Sequence, residues 1–202
     1  PLGLRQEQVE WNLPVPQAAR DWAAQQLPGD QRTLLISPCS SHELRNWNPD
    51  RYAAVADHAA ARGWRIAICG GRSALERSTG DRILAAMKHP ALDLIGKDTL
   101  KQLAALLERA TLVLSPDSGP AHVANAKGSK VIGLFACTDR ERCGPYSDLR
   151  FSVNHYDEAS RKFMGKPASE LRWGKRVEFP GVMDLIPVEE VIERFDLFVS
   201  GA

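Results

Sequence analysis

The apolar run Leu112-Val113-Leu114-Ser115 stops at Pro116-Asp117-Ser118-Gly119-Pro120, and the small residues Ala121-His122-Val123-Ala124-Asn125-Ala126 follow at once. A branched apolar run that breaks at Pro and Gly and resumes in helix formers reads as a strand feeding a helix N-terminus. The join carries an acid, a hydroxyl and a glycine. The first turn of a helix offers free N–H groups and the positive end of the macrodipole, which suits it to phosphate. Gly119 lets a ligand approach the backbone, and Pro120 fits the first turn because its missing N–H costs nothing there. His122 falls in the same turn. The alternative is that Asp117 or Ser118 does no more than cap the helix.

Other chemistry-bearing residues also follow apolar runs. Ser40-Ser41-His42-Glu43-Leu44-Arg45 succeeds Thr33–Ser37 and brings two hydroxyls and one guanidinium, whose planar fork matches phosphate oxygens. Within this stretch His42 reads as a surface residue and Trp47 as a packing anchor ahead of a helix starting at Pro49. Gly70-Gly71 after Trp64–Cys69 is a tight turn allowing close approach, but it is not the GxGxxG dinucleotide fingerprint. Glu76 follows in the next first turn, where it either favours the dipole or accepts from a ribose diol. Lys97 lies between a strand end and a cap at Asp98 or Thr99, within reach of a nucleotide or simply solvated.

Strands are predicted at Thr33–Ser37, Trp64–Cys69, Leu92–Ile95, Thr111–Ser115 and Lys130–Phe135, and helices at Pro49–Ala61, Ser73–Met87, Thr99–Arg109 and Gly119–Lys127. Continuous apolar strands separated by helices imply a parallel sheet covered on both faces, and right-handed crossovers make it Rossmann-like. In such sheets ligands sit beyond the carboxyl ends of the strands, where this chain places its polar and glycine-rich residues. Residues 1–30 read as a lead-in with one amphipathic helix near Gln17–Leu27, and residues 31–202 as the domain. Within the domain, 151–186 lacks periodicity and reads as irregular, and 187–199 as a closing helix with Val188, Val191, Ile192, Phe195 and Leu197 apolar.

At 202 residues the chain suffices for one good core. A net charge of +1 with 25% charged residues argues against nucleic acid as a partner. No apolar run spans a bilayer and no signal-peptide pattern is present, although the chain begins Pro-Leu-Gly-Leu, as a fragment of something longer would. Cys39, Cys69, Cys137 and Cys143 are scattered without metal-ligand spacing, so no metal site is expected and a reduced, cytoplasmic setting fits. GxSxG, Walker, HExxH and paired-carboxylate patterns are missing, which leaves a self-contained hydrolase unsupported.

Ser115-Pro116-Asp117-Ser118-Gly119-Pro120-Ala121-His122 resembles the Asp-Ser/Thr-Gly-x-x-His signature of the ADP-heptose:lipopolysaccharide heptosyltransferases, glycosyltransferase family 9. Arg45-Asn46-Trp47-Asn48-Pro49 is similar to that family's Lys-x-Trp-Pro segment, with Arg45 in place of the lysine and Asn48 interrupting the Trp-Pro pair. Gly70-Gly71, Ile95-Gly96-Lys97-Asp98-Thr99-Leu100, and Thr138-Asp139 through Gly144-Pro145-Tyr146 fall in matching order. The resemblance covers about residues 30–147 and echoes weakly in the final helix.

The resemblance implies the C-terminal, donor-binding half of a GT-B glycosyltransferase, in which two Rossmann-like domains face each other across a cleft. The expected donor is ADP-heptose and the expected acceptor is the lipopolysaccharide inner core, with no metal required. Ser40, Ser41 and Arg45 would hold phosphate oxygens, while Ser118, Gly119 and the helix N-terminus would bind the diphosphate beside His122. Asp117 would orient that loop or contact the sugar, Glu76 would take the ribose hydroxyls, and the backbone near Lys97 would meet adenine. No catalytic residue is expected on this chain, because the acceptor site and its base belong to the N-terminal domain. Another nucleotide sugar, an epimerase of the same architecture, and a non-catalytic nucleotide-binding module stay open. Residues 161–176 carry six Lys/Arg against one Glu, which suits either a solvated segment or peripheral contact with an anionic glycolipid at the inner membrane.

Overall fold

The computed structural model describes residues 10–147 and 149–201. Six parallel strands form one sheet in the order β3-β2-β1-β4-β5-β6. They are β1 Thr33–Ile36, β2 Arg65–Ile68, β3 Leu92–Asp93, β4 Leu112–Pro116, β5 Lys130–Phe135 and β6 Val153–Asn154. The order reverses between β1 and β4, which places a topological switch point, and therefore a crevice, above the carboxyl ends of these two strands. The α/β, Rossmann-like expectation is met.

Side chains alternate across the sheet with the period of two that strands impose. Leu34 and Ile36, with Ile66, Ile68, Leu112, Leu114, Ile132 and Leu134, face one core, shared with helices α2 Pro49–Ala60, α3 Ala74–Ala86 and α8 Val188–Ser200. Leu35, Ala67, Cys69, Val113 and Val131 face the other, shared with α1 Gln17–Gln26, α4 Leu100–Arg109 and α5 Gly119–Ala126. In the first core, α8 sets Phe195 against Trp64 at 5.0 Å between centroids. Truncating such a fully buried ring costs about 3–5 kcal/mol.

Residues 10–30 are integral to the domain rather than a lead-in. Val15, Ala19, Ala23 and Leu27 are buried in the second core, and Arg20 pairs with Glu108 of α4 at 2.8 Å. The lead-in expected over residues 1–9 lies outside the described residues. The segment 151–186 also departs from the irregular reading. It holds β6, in register with β5 through Leu134–Val153, and a helix, α7 Tyr156–Met164, following the short α6 Arg140–Cys143. Helix α7 has Asp157 and Glu158 in its first turn, Arg161 and Lys162 in its last, and Gly165 in the left-handed conformation after it. Each is a local helix signal. The remainder, 165–187, is indeed irregular apart from single 3-10 turns at Ala168–Glu170 and Met183–Leu185.

Candidate functional site

Above β1 and β4 lies a cleft of about 730 Å³. Of the nine residues expected at the site, eight line it: Ser40, Ser41, Arg45, Glu76, Asp117, Ser118, Gly119 and His122. Lys97 does not. Its ammonium donates to the Asp93 carbonyl at 2.6 Å and its N–H to the Leu94 carbonyl at 3.2 Å, so it braces the β3–α4 turn instead. The cap of α4 is Thr99, in a reciprocal capping box with Gln102.

At the end of β4 the capping alternative fails. Ser118 occupies the N-cap of α5, yet its hydroxyl makes no bond to the helix. It pairs instead with the Ser115 hydroxyl at 2.7 Å, in a buried contact. Asp117 does not cap either. Its carboxylate lies 3.7 Å from His122 Nε2, and its side chain is 13% exposed. Burial acts to raise the Asp117 carboxyl, but the neighbouring His122, Thr138 and Arg45 side chains hold it below the usual carboxylate range. The first-turn N–H groups of α5 therefore meet the cleft with no side chain across them. A Cβ on Gly119 would meet nothing within 4 Å, so that face of the backbone is open to a ligand.

On the opposite wall, the loop after β1 is drawn in by Ser40 and Asn46. The Ser40 N–H donates to Asn46 Oδ1 at 2.7 Å, and the Ser40 hydroxyl donates to the His42 carbonyl at 2.9 Å. Ser40 thus spends its proton inside the loop, which leaves Ser41 with the exposed hydroxyl. His42 is exposed, as the surface reading expected, and does not line the cleft. Arg45 ends the 3-10 turn Glu43–Arg45 with its side chain 11% exposed, and its Nε donates to Glu178 Oε1 at 2.7 Å. This bond leaves the terminal nitrogens of the fork to the cleft. Trp47 is the packing anchor expected of it, 1% exposed, with Nε1 donating to the Ile186 carbonyl at 3.1 Å. Asn48, the residue interrupting Trp-Pro, caps α2 by accepting the Asp50 N–H at 2.9 Å.

Glu76 sits at the third helical position of α3, where its carboxylate accepts the Gly71 N–H at 2.6 Å and the Ser73 hydroxyl at 2.6 Å. A Cβ on Gly71 would come within 2.8 Å of Glu76 Oε2, so a side chain there would push this carboxylate aside. The carboxylate is thereby fixed at the rim of the cleft with lone pairs left for a diol.

Reading the residues in order missed three charged side chains. Arg142 and Arg176 line the cleft, and Glu178 holds Arg45. Arg142 comes from α6, capped by Asp139, whose side chain accepts the Glu141 N–H at 3.0 Å. The local basic composition of 161–176 was the one signal for Arg176. The thiols of Cys39 and Cys143 also line the cleft, and burial pushes both above the ordinary thiol range, so neither is a ready nucleophile. All four cysteines are unpaired, and among the described residues no group of three or more His, Cys, Asp or Glu could hold a metal ion.

The arrangement is a polyanion cradle: a bare helix N-terminus, three arginines, one free serine, and an acceptor carboxylate at the far rim. The family model described as glycosyltransferase family 9 (heptosyltransferase) matches residues 1–174. The lipopolysaccharide core heptosyltransferase OpsX of Haemophilus influenzae is 37% identical over 191 residues, covering 95% of this chain and 55% of that protein. Among solved structures, the family 9 glycosyltransferase of Veillonella parvula superposes with a TM-score of 0.77 at 20% identity, over 94% of this chain and 54% of that one. The ADP-heptose lipopolysaccharide heptosyltransferase II of E. coli superposes at 0.72 and 19% identity, over 98% and 57%. At those identities the superpositions speak for the fold, that of the GT-B glycosyltransferases, and the chain spans about half the length of the relatives it matches. On the family match and the OpsX identity, the chain belongs to glycosyltransferase family 9, the heptosyltransferases.

Proposed function

We propose that this chain is the donor-binding half of an inverting heptosyltransferase that transfers heptose from ADP-heptose to the lipopolysaccharide inner core. The observation that carries the reading is the uncapped N-terminus of α5 facing Arg45 across the cleft. In the transfer, an acceptor hydroxyl oxygen bonds to the anomeric carbon while the bond from that carbon to the diphosphate breaks. The electron pair leaves with the diphosphate and the hydroxyl proton passes to a base outside this chain. Negative charge grows on the departing phosphate, and preorganised donors aimed there lower the barrier. The N–H groups of α5, the Arg45 fork and the Ser41 hydroxyl supply them, joined by Arg142 and Arg176, and no metal ion is needed in this account. Glu76 would accept from the ribose hydroxyls, and the turn at Gly96–Lys97 would meet the base. Asp117 orients the loop and His122. The acceptor, a glycolipid in this reading, would come from the side of a partner domain at the cytoplasmic face of the inner membrane.

Calorimetric titration with ADP, UDP and GDP in the presence of EDTA tests this. Saturable binding that favours ADP, and that weakens at least tenfold in Arg45→Ala, is the expected result. A preference for UDP or GDP would overturn the donor, and the lack of any nucleotide binding would overturn the site.

A further inference from the structure

The stretch from Leu171 to Glu178 is pinned on one side and bare on the other. Val177 is fully buried and its N–H donates to the Cys137 carbonyl at 2.8 Å, while the Tyr156 hydroxyl donates to the Lys175 carbonyl at 2.6 Å. Ahead of these anchors, Arg172, Trp173, Gly174 and Lys175 are all exposed. The Trp173 residue is 81% exposed, more than any other large hydrophobic among the described residues. Gly174 turns the chain at φ +74°, and a Cβ there would lie 4.0 Å from the Arg142 guanidinium carbon. Arg142 therefore lies beneath the turn, with Arg172, Lys175 and Arg176 beside it in the chain. Among the described residues none of these four cations pairs with a carboxylate, whereas Arg20, Arg77, Lys127 and Arg161 all do.

An indole held out in water with unpaired cations around it contributes nothing to this fold that a serine would not. An indole has an apolar body and a single polar N–H, which suits the headgroup layer of a bilayer, and a cluster of basic residues is drawn to anionic lipid. A soluble phosphate would engage the cations and leave Trp173 unused. We propose that the Arg172–Arg176 loop is an interfacial anchor that lays Trp173 among the headgroups of an anionic bilayer, with Arg142, Arg172, Lys175 and Arg176 facing the lipid phosphates. Arg142 and Arg176 also line the cleft, so this anchor turns the cleft mouth toward the membrane, where a lipid-linked acceptor would arrive. The inference rests on the acceptor side of the proposed function and shares Arg142 and Arg176 with the nucleotide cradle, but its test turns on Arg172, Trp173 and Lys175, which do not line the cleft.

The test is co-sedimentation of the chain with phosphatidylglycerol vesicles and with phosphatidylcholine vesicles at low salt. Binding is expected to the first and not the second, and to fall away as salt screens the cations. Each surface cation is worth on the order of fivefold in binding, so Arg172→Gln with Lys175→Gln should weaken it tenfold or more. Trp173→Ser should weaken it on the order of tenfold while leaving ADP affinity and the circular dichroism spectrum unchanged. Failure to bind anionic vesicles, equal binding to both lipids, or binding that Trp173→Ser leaves unchanged would overturn the anchor. Because ADP titration runs separately, loss of the nucleotide reading and loss of this one are distinguishable.

Discussion

Arg45 and Glu178 stand 133 residues apart in the chain and meet through one hydrogen-bonded ion pair, Nε to Oε1 at 2.7 Å. The pair joins the loop after β1 to the returning strap after α7, and it engages the one guanidinium nitrogen that cannot take part in an end-on fork. Held this way, the two terminal nitrogens are preorganised toward the cleft, which in the proposed site would spare the cost of ordering a long side chain when phosphate binds. Glu178→Ala should therefore weaken ADP binding by about tenfold, roughly 1.4 kcal/mol. In an Arg45→Ala background the same change should have little further effect. A double-mutant cycle by calorimetry measures this, and additive losses would show that Glu178 acts elsewhere.

Asp117 anchors the opposite wall. Asp117→Ala would remove the mostly buried carboxylate that lies 3.7 Å from His122 Nε2. The expected stability loss is about 1 kcal/mol, the net worth of a typical polar contact. The nucleotide affinity should fall much further than that loss of stability would account for. Because the folded carboxyl titrates below its ordinary value, its stabilisation is present at neutral pH and fades as pH falls through and below about 4. Urea midpoints taken between pH 7 and pH 3 should fall less steeply in Asp117→Asn than in the parent.

Asp98 has the opposite sign. Burial pushes its carboxyl up to about 6, its own backbone N–H pulls the other way, and Glu76 adds a further upward push. Its Oδ2 is buried without a partner. A folded value above the unfolded one means that stability declines as pH rises from about 4 to about 6 and stays lower above that. Asp98→Asn is expected to raise stability by about 1–2 kcal/mol at pH 7 and to leave it unchanged at pH 3.5. Denaturant melts at the two pH values decide it, and an equal effect at both would assign the change to packing.

The sheet and the β4–α5 join were legible because their signals are local. Leu34, Leu35 and Ile36 alternate between the two cores, as a strand buried on both faces must, and Pro116-Asp117-Ser118-Gly119-Pro120 marks its own turn and helix start. The cap role of Ser118 was undecidable from sequence. Whether its hydroxyl turns to the helix or to Ser115 is set by burial at the end of β4, not by residue type. Helix α7 carried readable signals in Asp157, Glu158, Arg161, Lys162 and Gly165, obscured by a buried face that includes the polar Ser160. Glu178 had no local signal. Its place depends on Val177 meeting the Cys137 carbonyl, a contact between residues with no periodic relation. Lys97 shows the reverse situation, since the direction of a basic side chain at a strand end depends on a partner such as Asp93, which holds its ammonium here.

Whether phosphate rests on the N-terminus of α5 can be read by amide chemical-shift mapping of the 15N-labelled chain during ADP titration. The largest shifts are expected on Gly119, Ala121 and His122 and on the Arg45 side-chain Nε–H, with the shifts lost in Arg45→Ala. Saturable ADP binding that leaves those amides unmoved would contradict this placement of the phosphate.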